Sequence, residues 1–366
     1  MSSATLDPKL IPGKRQLQSI QVARGFAALS VVAFHATDSE PRYFSNISVL
    51  PGFFDGGMAG VDLFFVISGF VMVLTTRGRH GKPREVGKFV WNRFFRIYPT
   101  YWFYFLLLLP VFFLAPTLIN SSQGNQVDLL ASFFLLPSDL LPILLVAWTL
   151  TIELWFYVVF ALVLFLPERL LPVALAVWFV VLVIVNWNGP IAASPFLEVP
   201  ANSMAIEFIF GGVAALLFRK VNLIGAAIVA VAGLAIIVFL GEATVSDLTA
   251  GPGLHRPLTL GLGFALILLA FTAWENRSGI GFLGRFTVLG DMSYSLYLSH
   301  VLVLVVMGRV WAAIAGPLAT SIPAIIAWWV LTFAIVLVAG YLSYRLIERP
   351  VMGLSRRWRV KVFREN

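Results

Sequence analysis

The sequence contains no cysteine and few charged residues. Of its 366 residues, 12% are Asp, Glu, Lys or Arg, whereas 59% are hydrophobic. Without cysteine, the chain cannot form disulfides, thiolate metal sites or an acyl-cysteine intermediate. So little charge also excludes an ordinary soluble protein, because a soluble chain of this length would need more polar surface to cover its core. The composition therefore predicts a protein that is surrounded largely by lipid.

Apolar runs long enough to cross a bilayer, which takes about 20 residues for a hydrocarbon core of about 30 Å, recur along the chain. They are continuous rather than alternating, which argues against a β-barrel. We place the spans near Ile20–Thr37, Met58–Thr76, Ile97–Leu114, Trp148–Leu166, Leu171–Trp187, Ser203–Phe218, Leu223–Leu240, Pro257–Ala273, Val288–Met307 and Ile322–Tyr344. The sequence thus predicts an all-α fold, a polytopic transmembrane bundle of about ten helices in a single domain over residues 1–366.

The segment Leu129–Ala147 is apolar, but Pro137, Asp139 and Pro142 interrupt it. Such a segment suits a re-entrant or interfacial position better than a full span. Counting it as a span would reverse the orientation of every later helix. The residues before the first span lack the pattern of a secretory signal, so we expect the first helix to act as its own insertion signal.

The distribution of Lys and Arg predicts the orientation, because these residues are retained on the cytoplasmic side. With the N-terminus inside, only Arg42, Arg256 and Arg309 of the 26 Lys and Arg residues fall outside. We therefore expect both termini to be cytoplasmic, with a basic N-terminal segment at 1–19 and a basic C-terminal tail at 349–366. The net charge of +8 then marks a face beside anionic lipid and requires no nucleic acid.

Ionisable residues inside membrane spans are costly and tend to mark functional sites. His35 lies eleven residues after Arg24, about 16 Å further out along the first helix, and His300 rises about 18 Å in an outward-running helix. The same topology places three carboxylates in the outer half, namely Asp62, Glu153 and Glu207. The topology therefore predicts an outer layer of two histidines and three carboxylates.

A second cluster is predicted at the inner face. Arg93 and Arg96 lie three residues apart at the start of the third span, near Arg24. Guanidinium groups bind phosphates bidentately. A ligand with phosphates at the inner face and a reactive end in the outer half must be long and thin, and the phosphopantetheine arm of coenzyme A has that shape.

Six segments follow one another in a fixed order along the chain. They are Arg24-x10-His35, GVDLFFVISGF (Gly60–Phe70), RFFRIYPTYW (Arg93–Trp102), WTLTIELWFY (Trp148–Tyr157), SYSLYLSH (Ser293–His300) and RLIERP (Arg345–Pro350). Together they resemble membrane-bound acyltransferase family 3, and the resemblance covers nearly the whole chain. Any one of these motifs is weak, whereas the set in this order is specific. Some relatives carry an appended extracytoplasmic esterase-like domain, and we expect none in this chain.

The resemblance implies an O-acyltransferase of the bacterial inner membrane. Members of the family acylate O-antigens, exopolysaccharides, peptidoglycan and related acceptors. The expected partners are therefore an acyl-CoA donor, such as acetyl-CoA, and a glycan or lipid-linked saccharide, with no metal. The resemblance also implies that His35 is catalytic and that Arg24, Arg93 and Arg96 are functional arginines, which we assign to the donor.

The remaining assignments follow from position in the predicted bundle. Glu153 is our first choice for the carboxylate that orients His35. His35 itself would act either as a general base or as a transient acyl-histidine. Four further residues are candidates for acceptor binding, namely Asp62, Glu207, His300 and Trp148. Glu348 is expected to form a local ion pair beside Arg345 and Arg349.

Structural interpretations compete with each assignment. The histidines and Glu207 could bond neighbouring helices, the arginines could anchor the inner face, and Asp62 could cap the preceding glycine-rich turn. At the level of the whole protein, a transporter or flippase is the alternative, since buried charges also mark substrate pathways. A lipid-binding scaffold is a third possibility.

Overall fold

The computed structural model describes residues 17–44, 47–191, 194–241 and 253–364. Within these ranges, all regular structure is helical. The α-helices are α1 (Gln18–Tyr43), α2 (Ala59–Thr76), α3 (Pro83–Leu114), α4 (Leu129–Phe134), α5 (Trp148–Val163), α6 (Leu171–Val185), α7 (Pro195–Ala201), α8 (Ala205–Leu217), α9 (Leu223–Leu240), α10 (Leu262–Ser278), α11 (Thr287–Asp291), α12 (Ser293–Ile314), α13 (Ile322–Ser343) and α14 (Arg349–Val362). The all-α prediction is confirmed for this part of the chain. Most of the predicted N-terminal segment 1–19 lies outside it.

In the described ranges, ten helical segments are long and apolar enough to cross a membrane, which confirms the predicted number of spans. In this count α7 and α8 form one segment, Pro195–Leu217, and α13 continues through α14 to form another, Ile322–Val362. The protein is thus a multi-pass membrane protein. The cytoplasmic location of both termini remains a prediction from the charge distribution.

The interrupted segment Leu129–Ala147 does not form a span. It contains the six-residue helix α4, irregular chain and a short 3-10 turn. Aromatic residues of α3 bind the end of α4: Tyr98 Oη donates to the carbonyl of Phe134 at 2.8 Å, and Trp102 Nε1 donates to that of Phe133 at 3.0 Å. These bonds satisfy carbonyls that a helix C-terminus leaves without partners, so the short helix is fixed against α3.

Two helices extend well beyond their predicted spans. Helix α3 begins at Pro83 rather than near Ile97, so Arg93 and Arg96 lie ten and thirteen residues inside it. The last helical segment continues past Tyr344 to Val362. Hydropathy marks only the part of a helix that suits lipid, and here polar contacts between the two extensions stabilise the rest. Trp91 Nε1 donates to the carbonyl and hydroxyl oxygens of Ser355 at 3.3 and 3.1 Å.

Glycines allow α2 to pack closely against two neighbouring helices. A Cβ atom on Gly69 would lie 1.9 Å from the carbonyl oxygen of Phe208 in α8, and one on Gly211 would lie 1.8 Å from that of Val66. On its other side, a Cβ on Gly60 would lie 2.4 Å from the carbonyl oxygen of Ala27 in α1. Small residues permit such close approach of backbones in membrane bundles. Helix α2 is therefore held firmly between α1 and α8.

Candidate functional site

A cavity of about 750 Å³, counting its space open to solvent, lies among α1, α2, α3, α5 and α12. Four of the residues proposed from the sequence line it, namely Arg24, Arg93, Arg96 and Glu153. On α2 its wall runs from Val61 to Met72, a separation of eleven residues and about 16 Å of helix rise. The cavity is therefore elongated along the bundle and charged in part of its lining.

Two of the arginines keep donors that have no partner. Arg93 lies over the rings of Phe89 and Tyr157, with its guanidinium carbon 5.5 and 5.3 Å from their centroids. Within the described part of the chain, the buried Nε of Arg93 and the buried Nη2 of Arg96 have no hydrogen-bond acceptor. A buried donor without a partner is costly, and an anion in the cavity would satisfy both.

Arg96 is held in place by Glu348. Its Nη1 donates to Glu348 Oε1, while Ser295 Oγ donates to Glu348 Oε2 at 2.7 Å. The expected pairing of Glu348 with Arg345 or Arg349 is wrong. A π-helical turn at Tyr344–Glu348 shifts the helical register, and Glu348 is only 2% exposed. Its carboxylate therefore reaches the cavity wall and not the surface.

Glu153 lies in the cavity with the arginines. Its Oε1 accepts hydrogen bonds from Ser68 Oγ at 2.8 Å and from the hydroxyl of Tyr157, one turn along α5. The described residues include no hydrogen bond between Glu153 and His35, so the structure does not place Glu153 as the carboxylate that orients the histidine. Neither partner was predicted from the sequence. The contact with Tyr157 was predictable from the sequence, because residues four apart lie on the same face of a helix.

His35 lies beside His300, with 5.2 Å between their ring centroids. His300 is fully buried, and its Nδ1 lies 3.2 Å from the carbonyl oxygen of Leu296. Neither histidine is among the residues that line the cavity. Tyr297 connects the two places, because it lines the cavity and its ring lies 5.8 Å from that of His300.

Tyr297 lies between the cavity and the histidine pair, and Phe64 packs against it. Both line the cavity, and their ring centroids lie 5.8 Å apart with an edge-on geometry. The Tyr297 hydroxyl is 2.9 Å from Thr149 Oγ1 and donates to the carbonyl of Val146 at 3.0 Å. These bonds fix α12 against the start of α5. The histidines are therefore neighbours of the cavity across one layer of aromatic rings.

Asp62 and Glu207 belong to a different cluster. Arg256 forms a bidentate ion pair with Asp62, in which Nε donates to Oδ1 at 2.8 Å and Nη2 donates to Oδ2 at 2.7 Å. The fully buried Glu207 lies beside Asp62, and neither of its carboxyl oxygens meets a donor among the described residues. The structure thus separates these two candidates from the cavity. Arg256 was not predicted to be a site residue, although the predicted orientation made it one of only three basic residues on the outer side.

Trp148 begins α5 and is half-buried against the main hydrophobic core, and the next residue, Thr149, lines the cavity. Among the described residues, no group of three or more His, Asp or Glu side chains could hold a metal ion. The nine proposed site residues therefore fall into four places: the charged cavity, the histidine pair, the Asp62 cluster and the start of α5.

Comparisons with known proteins agree with the motifs. A family model described as "Acyltransferase domain" matches residues 17–344. The chain is 29% identical to the exopolysaccharide production protein ExoZ of Rhizobium meliloti over 89% of this chain and 96% of that protein. It is 28% identical to the acyltransferase MdmB of Streptomyces mycarofaciens over 94% of each.

A third relative matches over a shorter stretch. The peptidoglycan O-acetyltransferase OatA of Listeria monocytogenes is 27% identical over 33% of this chain and 17% of its own length. No solved structure matches the chain. Since the family model covers most of the sequence and full-length relatives align end to end, the chain belongs to membrane-bound acyltransferase family 3.

Proposed function

We propose that this protein transfers an acetyl or similar short acyl group from cytoplasmic acyl-CoA to a hydroxyl of an extracytoplasmic or lipid-linked glycan, such as an exopolysaccharide or O-antigen unit. The observation that carries the proposal is the arginine-lined cavity, whose aromatic wall adjoins the His35–His300 pair. The arrangement supplies an anion site and a pair of titratable rings within one bundle. The proposed setting is the bacterial inner membrane.

The arginines are suited to the phosphates of the donor. Arg24, Arg93 and Arg96 face two carboxylates in the same region, Glu153 and Glu348, so the cluster has an excess of positive charge. The unsatisfied N–H groups of Arg93 and Arg96 would bind phosphate oxygens with charge-assisted hydrogen bonds. Because Lys and Arg concentrate on the cytoplasmic side of membrane proteins, the donor would enter from the cytoplasm.

The length of the cavity fits an extended acyl-pantetheine arm. From phosphates at the arginines, the arm would follow α2 toward Val61 and bring the thioester to Phe64 and Tyr297. The acyl end would then pass between these two rings to His35. A short acyl group passes such a layer more readily than a long one, which favours acetyl among the possible donors.

The chemistry requires one base and balances without a further reactant. The hydroxyl oxygen of the sugar attacks the thioester carbonyl carbon while a ring nitrogen of His35 takes the hydroxyl proton. The C–S bond then breaks, an ester forms, and the coenzyme A thiolate leaves and receives the proton from His35. In the variant with an acyl-histidine, a ring nitrogen of His35 attacks the thioester carbonyl and the coenzyme A thiolate leaves. The sugar hydroxyl then attacks the acyl-histidine carbonyl, the C–N bond to His35 breaks, and the hydroxyl proton passes to the thiolate.

The acceptor would approach from outside. The relative named for exopolysaccharide production aligns along nearly its whole length, which supports a polysaccharide or its lipid-linked precursor as acceptor. Of the residues assigned to acceptor binding, His300 and Trp148 lie nearest the cavity wall. Asp62 and Glu207 would affect acceptor binding indirectly, by stabilising the outer end of the bundle, because both carboxylate oxygens of Asp62 are bound to Arg256.

Purified protein in nanodiscs, incubated with labelled acetyl-CoA and a lipid-linked oligosaccharide or exopolysaccharide fragment, tests the proposal. We expect labelled glycan from the wild type and none from His35→Ala. His255→Ala is the matched control, because His255 is exposed and lies outside the histidine pair. Full activity of folded His35→Ala would contradict the assignment. Movement of unmodified lipid-linked glycan across the bilayer, without product, would instead support a flippase.

Sealed membrane vesicles test the direction of transfer. Acetyl-CoA does not cross membranes, so label should enter the glycan when the donor is supplied at the cytoplasmic face of inside-out vesicles. Right-side-out vesicles given the same external donor should stay unlabelled until they are opened with detergent. Equal labelling in both intact preparations would refute entry of the donor from the cytoplasm.

A further inference from the structure

His300 has one tautomer built into the fold. Its Nδ1 lies 3.2 Å from the carbonyl oxygen of Leu296, one turn earlier in α12. A carbonyl oxygen only accepts hydrogen bonds, so Nδ1 carries the proton and Nε2 carries the lone pair. The ring is also fixed in place, because the neighbouring Tyr297 is bonded to the start of α5. His300 therefore presents a basic nitrogen at a defined position.

That nitrogen is buried and has no donor. Nε2 of His300 meets no hydrogen-bond partner among the described residues, and the side chain has no exposed surface. Leaving a buried acceptor unsatisfied is costly, and the group that satisfies it must bring an N–H or O–H. Neither Tyr297 nor Thr149 is available, because each hydroxyl donates its one proton to the carbonyl of Val146.

His35 is the neighbour that has such a donor. Its ring centroid lies 5.2 Å from that of His300, with 43° between the planes. Each ring nitrogen lies about 1.1 Å from its own centroid, so two nitrogens that point at each other across this separation are about 3 Å apart, which is hydrogen-bond distance. Rotation about χ2, a broad torsion in histidine, brings an N–H of His35 toward Nε2. The ring nitrogens of His35 make no hydrogen bond to the described residues.

We propose that His300 is the positioning residue of His35: its Nε2 accepts the N–H of His35 and fixes the His35 tautomer whose other nitrogen faces the reacting groups. This rests on the proposed acyl transfer. The free nitrogen of His35 takes the proton of the acceptor hydroxyl, the shared N–H stays on His35, and the proton leaves with the coenzyme A thiol. No bond to His300 forms or breaks. In the acyl-histidine variant, the same contact stabilises the acyl-imidazolium.

This role replaces the carboxylate partner expected from the sequence. Glu153, the first choice, is bonded to Ser68 and Tyr157 in the charged cavity. A neutral acceptor orients the ring of His35 without placing a negative charge in the apolar layer formed by Phe64 and Tyr297. It thus avoids the cost of burying an unpaired carboxylate.

Histidine-selective ¹⁵N NMR of the full chain tests the contact without requiring activity. The chain has four histidines, so each signal is assignable from single variants. In the wild type, we expect His35 to show the distinct nitrogen shifts of one tautomer. In His300→Leu, the two His35 shifts should converge toward averaged values, while His255→Leu leaves them unchanged. An identical His35 spectrum in wild type and His300→Leu would overturn the proposal.

Kinetics of the same variants separate positioning from packing. His300→Leu should lower kcat about a hundredfold, the lower range for loss of acid–base function, with donor Kd unchanged. His300→Gln should recover at least tenfold of that loss, because its amide oxygen can accept the same N–H. Imidazole should rescue His300→Ala, whereas pyrrole, which lacks a basic nitrogen, should not. Equal loss in Leu and Gln variants together with failed imidazole rescue would refute the role.

The two sets of measurements distinguish the two proposals. If the wild type transfers no acyl group but the His35 tautomer still depends on His300, the proposed function fails and the contact stands. If transfer depends on His35 but kcat and the His35 spectrum do not change when His300 is replaced, the proposed function stands and the positioning role fails.

Discussion

Arg96 and Glu348, which are 252 residues apart in the sequence, form an ion pair at the wall of the charged cavity. The side chain of Glu348 is 2% exposed and that of Arg96 is 21% exposed, so water screens the pair only weakly. The pair joins α3 to the π-helical turn before α14. It also leaves Nη2 of Arg96 unbonded, so the same residue stabilises the bundle and presents a donor to a ligand.

Glu348→Ala should lower the free energy of unfolding by about 3 kcal/mol, because removing the buried carboxylate leaves the mostly buried guanidinium of Arg96 without its counter-charge. Thermal unfolding in detergent measures the change. Asp38→Ala is the control, since the Asp38–Arg42 pair is 54% and 63% exposed and is expected to contribute little. Similar melting temperatures for the two variants would show that the Glu348 pair does not stabilise the fold.

Arg93→Ala and Arg96→Ala should each weaken acetyl-CoA binding at least tenfold, because a charge-assisted hydrogen bond is worth about 1.5–3 kcal/mol. Isothermal titration of purified protein measures the Kd. Arg345→Ala is a matched control, since Arg345 is exposed near the same end of the bundle. A Kd that changes less than twofold in the Arg93 and Arg96 variants would indicate that the arginines only anchor the protein at the inner face.

The sequence predicted the helical elements better than the contacts between them. The bounds of α9 match the predicted span Leu223–Leu240, because the apolar run itself sets the length in lipid. Interruption by Pro137 and Pro142 argued against a span at Leu129–Ala147, and this segment forms none. In contrast, the first half of α3 was missed. Contacts with α14 stabilise it, among them the Trp91–Ser355 hydrogen bonds and the Phe95–Trp358 ring contact, and hydropathy does not detect such contacts.

The predicted outer layer shows where topology stops being informative. Depth along a helix placed His35 and His300 in one layer, and their rings do lie 5.2 Å apart. Depth does not define the direction in which a side chain points. Asp62 lies on α2 next to Val61, yet it faces Arg256 while Val61 lines the cavity. The contact between Asp62 and Arg256, which are 194 residues apart, depends on how the helices rotate and pack.

The Asp62–Arg256 pair provides a test of structural against substrate-binding roles. Asp62→Asn should destabilise the protein by about 3–5 kcal/mol, because it removes the negative charge from a buried bidentate ion pair. Replacing both members, Asp62→Leu with Arg256→Met, should restore most of the melting temperature. If the double variant keeps the acceptor KM of the wild type, Asp62 is structural. A large rise in acceptor KM at normal stability would place Asp62 in the glycan site.

The crossing of α2 and α8 predicts opposite effects for two glycine substitutions of the same kind. Gly69→Ala would place a Cβ 1.9 Å from the carbonyl oxygen of Phe208, and because that atom is backbone, the helices must separate. Ser68, the preceding residue, donates to Glu153, so the shift should disturb the charged cavity as well as the core. We expect a lower melting temperature and weaker donor binding.

Gly353→Ala adds the same methyl group inside α14, where no atom lies within 4 Å. There, the better helix propensity of alanine should stabilise the protein by about 0.5–1 kcal/mol. Thermal unfolding of both variants in one detergent measures the contrast, and a Gly69→Ala protein as stable as Gly353→Ala would contradict the close crossing.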